Sequence, residues 1–414
     1  MIWLAPMRGL RLPVTLLLVI AVSITSCDRD IDPPRSGDET GERRKRTEAV
    51  IALVGTMSGP GSWRGPDARE GARLAVSDLN QSPLGSGLRW RLTVHDDRGR
   101  PRRSTRLVEL AARRERTAGI VYAGTPRALP AAQETLERAG VPAFLCYGDL
   151  VGAGRLTDHV FQAGPPFVWQ ARLLVARALK DQTAGQVGAL LEHSLMGRTA
   201  GQALKGALAN NGKKLVATRT FAPGRWKGLP GALEDLRRGG VDTLFVEATV
   251  REFRHILEAF LAMRPAASAT SVSGWRPRLF VFDLAVGPTW PMPPDGITAA
   301  ESGARATFLP GSAQRFRRRF VQRWHHFPLG WQRRSYESVR LIAAARAGAE
   351  DDADLATALE LGGVERIGSS VIRFSSRDHV TPERKSLSVW TTDAGTAARR
   401  GLPDRMTWMP RSAR

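Results

Sequence analysis

Strand-like and helix-like segments alternate along this chain, and the alternation starts twice. Residues 49–57, "AVIALVGTM", open on six consecutive apolar residues, of the kind a strand buried on both faces requires. Residues 66–79 then set Ala72, Ala75, Val76 and Leu79 on one helical face. "LRWRLTVHDD" (88–97) alternates like a strand, 103–114 is helical, "GIVYAG" (119–124) is a strand, 128–138 a helix and "VPAFLCYG" (141–148) a strand. This βαβα order predicts a parallel sheet with helices on both faces. The series restarts near 167, with predicted helices at 167–180, 196–210, 230–238 and 251–263. The strands between them are predicted at 187–192, 215–221, 241–248 and 278–284. Further helices are predicted at 312–323 and 335–348, and "SSVIRFSS" (369–376) with "KSLSVWTT" (385–392) reads as a closing pair of strands. A chain of 414 residues is too long for one ordinary core, so two similar α/β halves are the simplest account.

The N-terminal end sets the compartment. Arg8 and Arg11 precede a short apolar run, "VTLLLVIAV" (14–22), and the segment ends in "SITSCDRD". Nine apolar residues cannot cross a hydrocarbon core, which needs about 20, so residues 1–26 read as a signal peptide. Ile24-Thr25-Ser26-Cys27 resembles a bacterial lipobox, and that resemblance implies a lipid on Cys27. Residues 27–46 then form the lipidated Cys and a flexible polar tether. The other cysteine, Cys146, has no disulfide partner if Cys27 is lipidated, and its place in an apolar run predicts a buried small residue.

The formal net charge is +21, carried mostly by Arg. A nucleic-acid surface would cluster that Arg among aromatics. Here it is spread, apart from "RRKR" (43–46) and "RFRRRF" (315–320), which read as a solvated tether and a solvated helix face. No nucleic acid is expected. No G-x-S-x-G occurs, and His325 and His326 would point about 100° apart on a helix, so no enzyme, metal or cofactor is predicted.

Between the first strand and helix lies "VGTMSGPGSWRGPDAREGARLAVSDLN" (54–80). As a dinucleotide fingerprint it fails. The glycines are spaced G-x-G-x-x-x-G, Pro60 removes a donor, and Asp96 and Asp97 lie too far along. No Lys-Ser or Lys-Thr follows, which excludes a P-loop. A tight structural turn and a ligand-facing cleft loop both remain open.

With the strand before it, this stretch resembles the opening of the type I periplasmic-binding-protein family, in its leucine/isoleucine/valine-binding branch. The resemblance rests on Ser58-Gly59-Pro60, Gly65, Gly71-Ala72 and Asn80. "LTVHDDRGRP", "ERAGVPAF", "GALLEHSLMGRTAGQALKGAL" and "RRSYESVRLIAAA" extend it over roughly 47–400. It implies an α/β fold of two Rossmann-like lobes with parallel-type sheets, joined by three crossovers near Gly164, Gly296 and Gly368. Lobe 1 would take 47–164 plus 297–367, and lobe 2 would take 165–296 plus 368–414. The implied function is solute binding with lobe closure, and no bond making. The implied partners are a small-molecule solute, an ABC permease and ATPase complex, and the membrane through the lipid. The chain would act as a monomer in the bacterial cell envelope. A sensor or envelope-enzyme regulator on the same fold is the other reading.

The resemblance also places a cleft set: Ser58, Trp63, Arg64, Thr125, Arg127, Gly148, Asp149, Met196, Glu247 and Asp283. Thr125 is the nearest hydroxyl for a solute carboxylate, while Asp149 stands where that branch has a second Thr. Met196 takes the place of an aromatic, and Asp283 falls where the branch's acid meets the solute's ammonium. Arg64 or Arg127 either supplies the missing donors or lies on the surface. Trp63 either stacks on the ligand or packs on its own lobe. Asp149 and Asp283, read as lacking a basic partner, predict a solute with an ammonium, guanidinium or amide end.

Overall fold

In the computed structural model the described residues are 47–59, 61–82, 87–125, 128–146, 149, 158–180, 185–263, 275–283, 297–302, 311–349, 354–361, 365–367, 370–372, 374–375, 379–381 and 387–391. Cys27, Arg127, Gly148, Gly296 and Gly368 lie outside them. The first half runs β1 (Thr47–Gly55), α1 (Arg64–Asn80), β2 (Leu88–Asp96), α2 (Pro101–Ala112), β3 (Thr117–Ala123), α3 (Ala128–Ala131), α4 (Gln133–Ala139), β4 (Ala143–Leu145) and β5 (Val160–Ala163). The second runs α5 (Phe167–Lys180), β6 (Val187–Glu192), α6 (Leu195–Ala209), β7 (Ala217–Phe221), α7 (Leu229–Arg238), β8 (Thr243–Glu247), α8 (Val250–Ala262), β9 (Arg278–Val281) and β10 (Ile297–Ser302). The chain continues through α9 (Gly311–Trp324), α10 (Gly330–Gly348), α11 (Leu355–Leu361), β11 (Glu365–Ile367), β12 (Ser370–Ile372), β13 (Val380–Thr381) and β14 (Leu387–Thr391).

Two six-stranded sheets result, ordered β13-β5-β4-β3-β1-β2 and β14-β10-β9-β8-β6-β7. All described pairings are parallel except β10 with β14 and the separate β11–β12 pair. β1 shows why its sequence is apolar throughout. Ala49, Ile51 and Leu53 enter a core with α1, α9 and α10, while Ala52 and Val54 enter one with α2 and α4. The period of two therefore serves two cores, one on each face. The second lobe packs α5, α6, α7 and α8 on its own sheet through Leu174, Leu204, Leu233 and Phe253. Cys146 is free and buried, and among the described residues no helix is long and apolar enough to cross a membrane.

Strand pairing corrects the expectation at three places. β12 and β14 do not pair with each other: β12 pairs with β11, and β14 with β10. β10 belongs to the second sheet although residues from 297 on were expected in the first lobe, and β13 belongs to the first sheet although 368–414 was expected in the second. Short strands carry their own periodicity but not the identity of their neighbours. The chain passes between sheets after β5, after β10 and after β13.

The notable contact inside the first lobe is between α1 and α10. A Cβ at Gly71 would overlap the backbone carbonyl of Gln332, so the two helices meet at van der Waals distance only because Gly71 has no side chain. Ser335 Oγ donates to the Ala68 carbonyl at 2.7 Å beside it. Gly71→Ala is expected to cost about 1–3 kcal/mol by forcing backbone apart. Denaturant unfolding checks this, and a stability equal to wild type would mean that the helices part freely there.

Candidate functional site

The loop after β1 is held by an acid of the next strand. Asp96 accepts from Met57 N–H at 2.9 Å, Ser58 N–H at 3.2 Å and the Ser58 hydroxyl at 2.5 Å. These bonds hold its carboxyl below the usual range, against the opposing effect of desolvation. Asp97 accepts from Ser104 Oγ at 2.6 Å and from Gly99 N–H at 2.8 Å. Asp96 thus frames the loop after β1, while Asp97 ties the turn after β2 to the first turn of α2. Gly59 and Gly61 take positive φ, 81° and 78°, and Gly65 N–H returns to the Thr56 carbonyl at 3.1 Å. Ser58 is exposed on this loop. The turn delivers Trp63 and Arg64 to the start of α1, facing the other lobe.

Neither alternative for Trp63 describes it fully. Its ring lies tilted on Trp331 with centroids 5.2 Å apart, and it packs against the second lobe's core. Arg64 and Arg251 approach its faces at 5.2 and 5.8 Å. Two ion pairs cross between lobes here. Arg64 of the first reaches Glu192 of the second at 3.7 Å, and Arg251 of the second reaches Asp67 of the first at 3.3 Å. Trp331 Nε1–H also donates to Asp67, at 3.2 Å. Arg64 therefore turns inward.

Its socket is made of carboxylates at the C-terminal ends of second-lobe strands, where parallel α/β sheets present their ligand sites. Glu192 ends β6, Glu247 ends β8 and Glu252 lies in the first turn of α8; all three are buried. The Glu192 N–H donates to Glu247 Oε2 at 3.2 Å, while Glu192 Oε2 and Glu247 Oε1 have no partner among the described residues. Burial, and then the Glu192 carboxylate, push the Glu247 carboxyl well above its usual range. The same two causes raise Glu252 to about 7. On the first-lobe side, the Tyr122 hydroxyl donates to the Thr125 carbonyl at 2.8 Å and lies 2.6 Å from Ser104 Oγ. Burial raises the phenol's pKa. Thr125 Oγ1 is buried with no partner among the described residues, which suits the donor or acceptor role expected of it.

Met196, Asp149 and Asp283 each make contacts within the fold. Met196 is buried in the second lobe's core, in the first turn of α6. Asp149 accepts from the Phe167 N–H at 2.6 Å, capping α5 where the chain first crosses. Asp283, read as lacking a basic partner, has one: it forms a buried ion pair with Arg334 of α10, and Gln170 Nε2 donates to it at 3.2 Å. Arg334 sits far from Asp283 in sequence, which is why the pair was not anticipated. Glu192, Glu252, Asp67 and Arg251 were not anticipated either. Only Glu252 left a local sign, as the fourth residue of Thr249-x-x-Glu252, a helix-start pattern.

Two α/β lobes crossed three times, with charged groups of each reaching into the other, are the architecture of a type I binding protein. Residues 48–393 match the family model described as "Periplasmic binding protein", and the chain belongs to that family. Solved structures agree on the fold. A periplasmic binding protein type 1 from Bordetella pertussis Tohama I superposes with a TM-score of 0.68 at 17% identity, covering 84% of this chain and 98% of that one. LivJ from Streptococcus pneumoniae, a branched-chain amino acid transporter substrate-binding protein in complex with isoleucine, gives 0.66 at 16%, covering 84% and 99%. An ABC-transporter solute-binding protein from Rhodopseudomonas palustris BisB5, with 3,4-dihydroxybenzoic acid bound, gives 0.69 at 13%, covering 84% and 93%. No curated protein matches the chain.

Proposed function

We propose that this chain is an extracytoplasmic solute-binding lipoprotein of an ABC importer, taking an amino acid, an amide or a related small solute between its lobes. The observation that carries the proposal is a pair of buried second-lobe acceptor atoms without partners among the described residues, Glu192 Oε2 and Glu247 Oε1, on carboxylates that face Arg64 of the first lobe. Buried polar atoms without partners are rare in stable folds, and at the C-terminal ends of strands they suit a ligand. Family membership supports the same reading. Lobe closure on the solute supplies the signal to the permease and no chemistry is required. Ser58, Arg127, Gly148, Asp149 and Asp283 stay in the proposal as candidate ligand-binding residues.

One observation favours the regulator on the same fold: the lobes are already tied by Arg64–Glu192 and Arg251–Asp67. A thermal-shift screen of amino acids, amides and small carboxylates separates the two. A solute present at about 100 times its Kd should add about 2.7 kcal/mol of stability. A broad library without any shift would favour the regulator. Anchoring is tested separately. Cys27→Ala should release the protein from membrane fractions or leave a longer precursor. A variant that fractionates and migrates as wild type overturns the lipid anchor.

A further inference from the structure

We propose that the buried carboxylates Glu192, Glu247 and Glu252 recognise a cationic group of the solute other than an α-ammonium, namely a guanidinium or a terminal ammonium. This rests on reading the interlobe region as a solute site and names the chemistry it accepts. Three separate elements of the second lobe bring these groups together, at 2%, 0% and 3% exposure. Across the lobe junction four acids, with Asp67, meet two guanidinium groups, Arg64 and Arg251. Arg251 pairs with Asp67 and also acts on Glu252, while Arg64 faces Glu192, Glu247 and Glu252. It stands 3.7 Å from Glu192, at ion-pair distance but beyond a good hydrogen bond. Glu192 Oε2 and Glu247 Oε1 remain open acceptors among the described residues.

A buried surplus of carboxylate resolves itself by taking up a proton or a cation. Without a bound cation the proton serves, because burial and Glu192 favour the neutral form of Glu247. A proton provides one donor between two open acceptor atoms. An ammonium provides three N–H donors and a guanidinium five. The indole of Trp63 beside the socket already accommodates two guanidinium groups near its faces, a surface suited to cations. The groups facing Glu247 are Glu192 from β6, Glu252 from α8 and Arg64 from α1, with Arg251 and Asp67 next outward. Cation and proton therefore compete for Glu247. Cation binding expels a proton, and affinity tightens as pH rises. Arg64 competes for the same carboxylates from within the chain.

The test is calorimetry on the full chain with agmatine, L-arginine, L-leucine and 3,4-dihydroxybenzoate, at about pH 6 and about pH 8, in buffers of different ionisation enthalpy. Agmatine or arginine should bind at least about tenfold more tightly than leucine, with proton release and higher affinity at the higher pH. Glu247→Gln should lose about tenfold in cation affinity and abolish the proton release, while Arg64→Ala should tighten cation binding about fivefold. Leucine or the benzoate binding more tightly than both cations overturns the proposal and leaves solute binding intact. So does an unchanged cation affinity in Glu247→Gln. No binding by any of the four, together with a broad library that gives no thermal shift, removes both this proposal and the solute reading.

Discussion

Asp283→Ala is expected to destabilise the folded chain by about 3–5 kcal/mol, the usual cost of leaving one member of a buried ion pair behind. Both side chains of the Asp283–Arg334 pair are 5% exposed. Asp283 follows β9 of the second lobe and Arg334 lies on α10, packed on the first, so the pair joins the lobes beside a crossing. Gln170 completes the joint. Its Oε1 accepts from Asp283 N–H at 2.8 Å, and its Nε2 donates to the Pro165 carbonyl at 2.9 Å. Gly164, with φ of 144°, leaves room for the guanidinium, into which a Cβ would project. Arg334 Nε has no partner among the described residues, so losing the carboxylate would leave the cation nearly unsolvated. Urea unfolding measures the loss. The double variant Asp283→Leu/Arg334→Met should recover most of it, because an apolar pair removes both desolvation penalties. A single-variant loss below about 1 kcal/mol, accompanied by weaker solute binding, would instead return Asp283 to the ligand.

What the sequence conveyed of this site follows the range over which each signal acts. Helix and strand periods are local, and α5 and β6 fall at 167–180 and 187–192, as their patterns predicted. β5, "VFQA", and β10, "ITAAES", are too short or too poor in β-branched residues to stand out, and both were missed. The helix expected at 128–138 breaks at Ala132 into α3 and α4. The glycine-rich loop marked Trp63 and Arg64 as facing something, because positive φ at Gly59 and Gly61 is a local demand. Which group Arg64 would face was not local. Glu192 and Glu252 read as ordinary acids at element ends, and only the folded contacts bury them. Asp149 caps α5 and Asp283 is neutralised by Arg334, so the carboxylates open to a cationic solute are others.

Glu252→Gln should stabilise the protein in alkaline solution and leave it unchanged in acid. Burial and the neighbouring Glu192 raise the folded Glu252 to about 7, from an ordinary value of 4.5. Between those values the folded state holds a proton that the unfolded chain has released, so stability falls as pH rises. The proton's contribution is complete below about 4.5 and is lost as pH passes about 7. At about 1.4 kcal/mol per pKa unit, the loss amounts to roughly 3 kcal/mol. Glu247 acts in the same direction. Asp96, held below 3.8, acts oppositely but only in more acid solution, outside this window. Gln is the informative replacement because it preserves the helix start. Glu252 Oε2 accepts the Thr249 N–H at 2.8 Å, and a Gln carbonyl serves the same bond. Removing the charge should therefore add up to roughly 3 kcal/mol at about pH 8 and flatten the stability profile between about pH 4.5 and 7. Denaturant unfolding at a series of pH values reads both effects. A Glu252→Gln protein no more stable than wild type at about pH 8 would show that the second lobe holds this carboxylate ionised without penalty, and that the socket is better solvated than its burial implies.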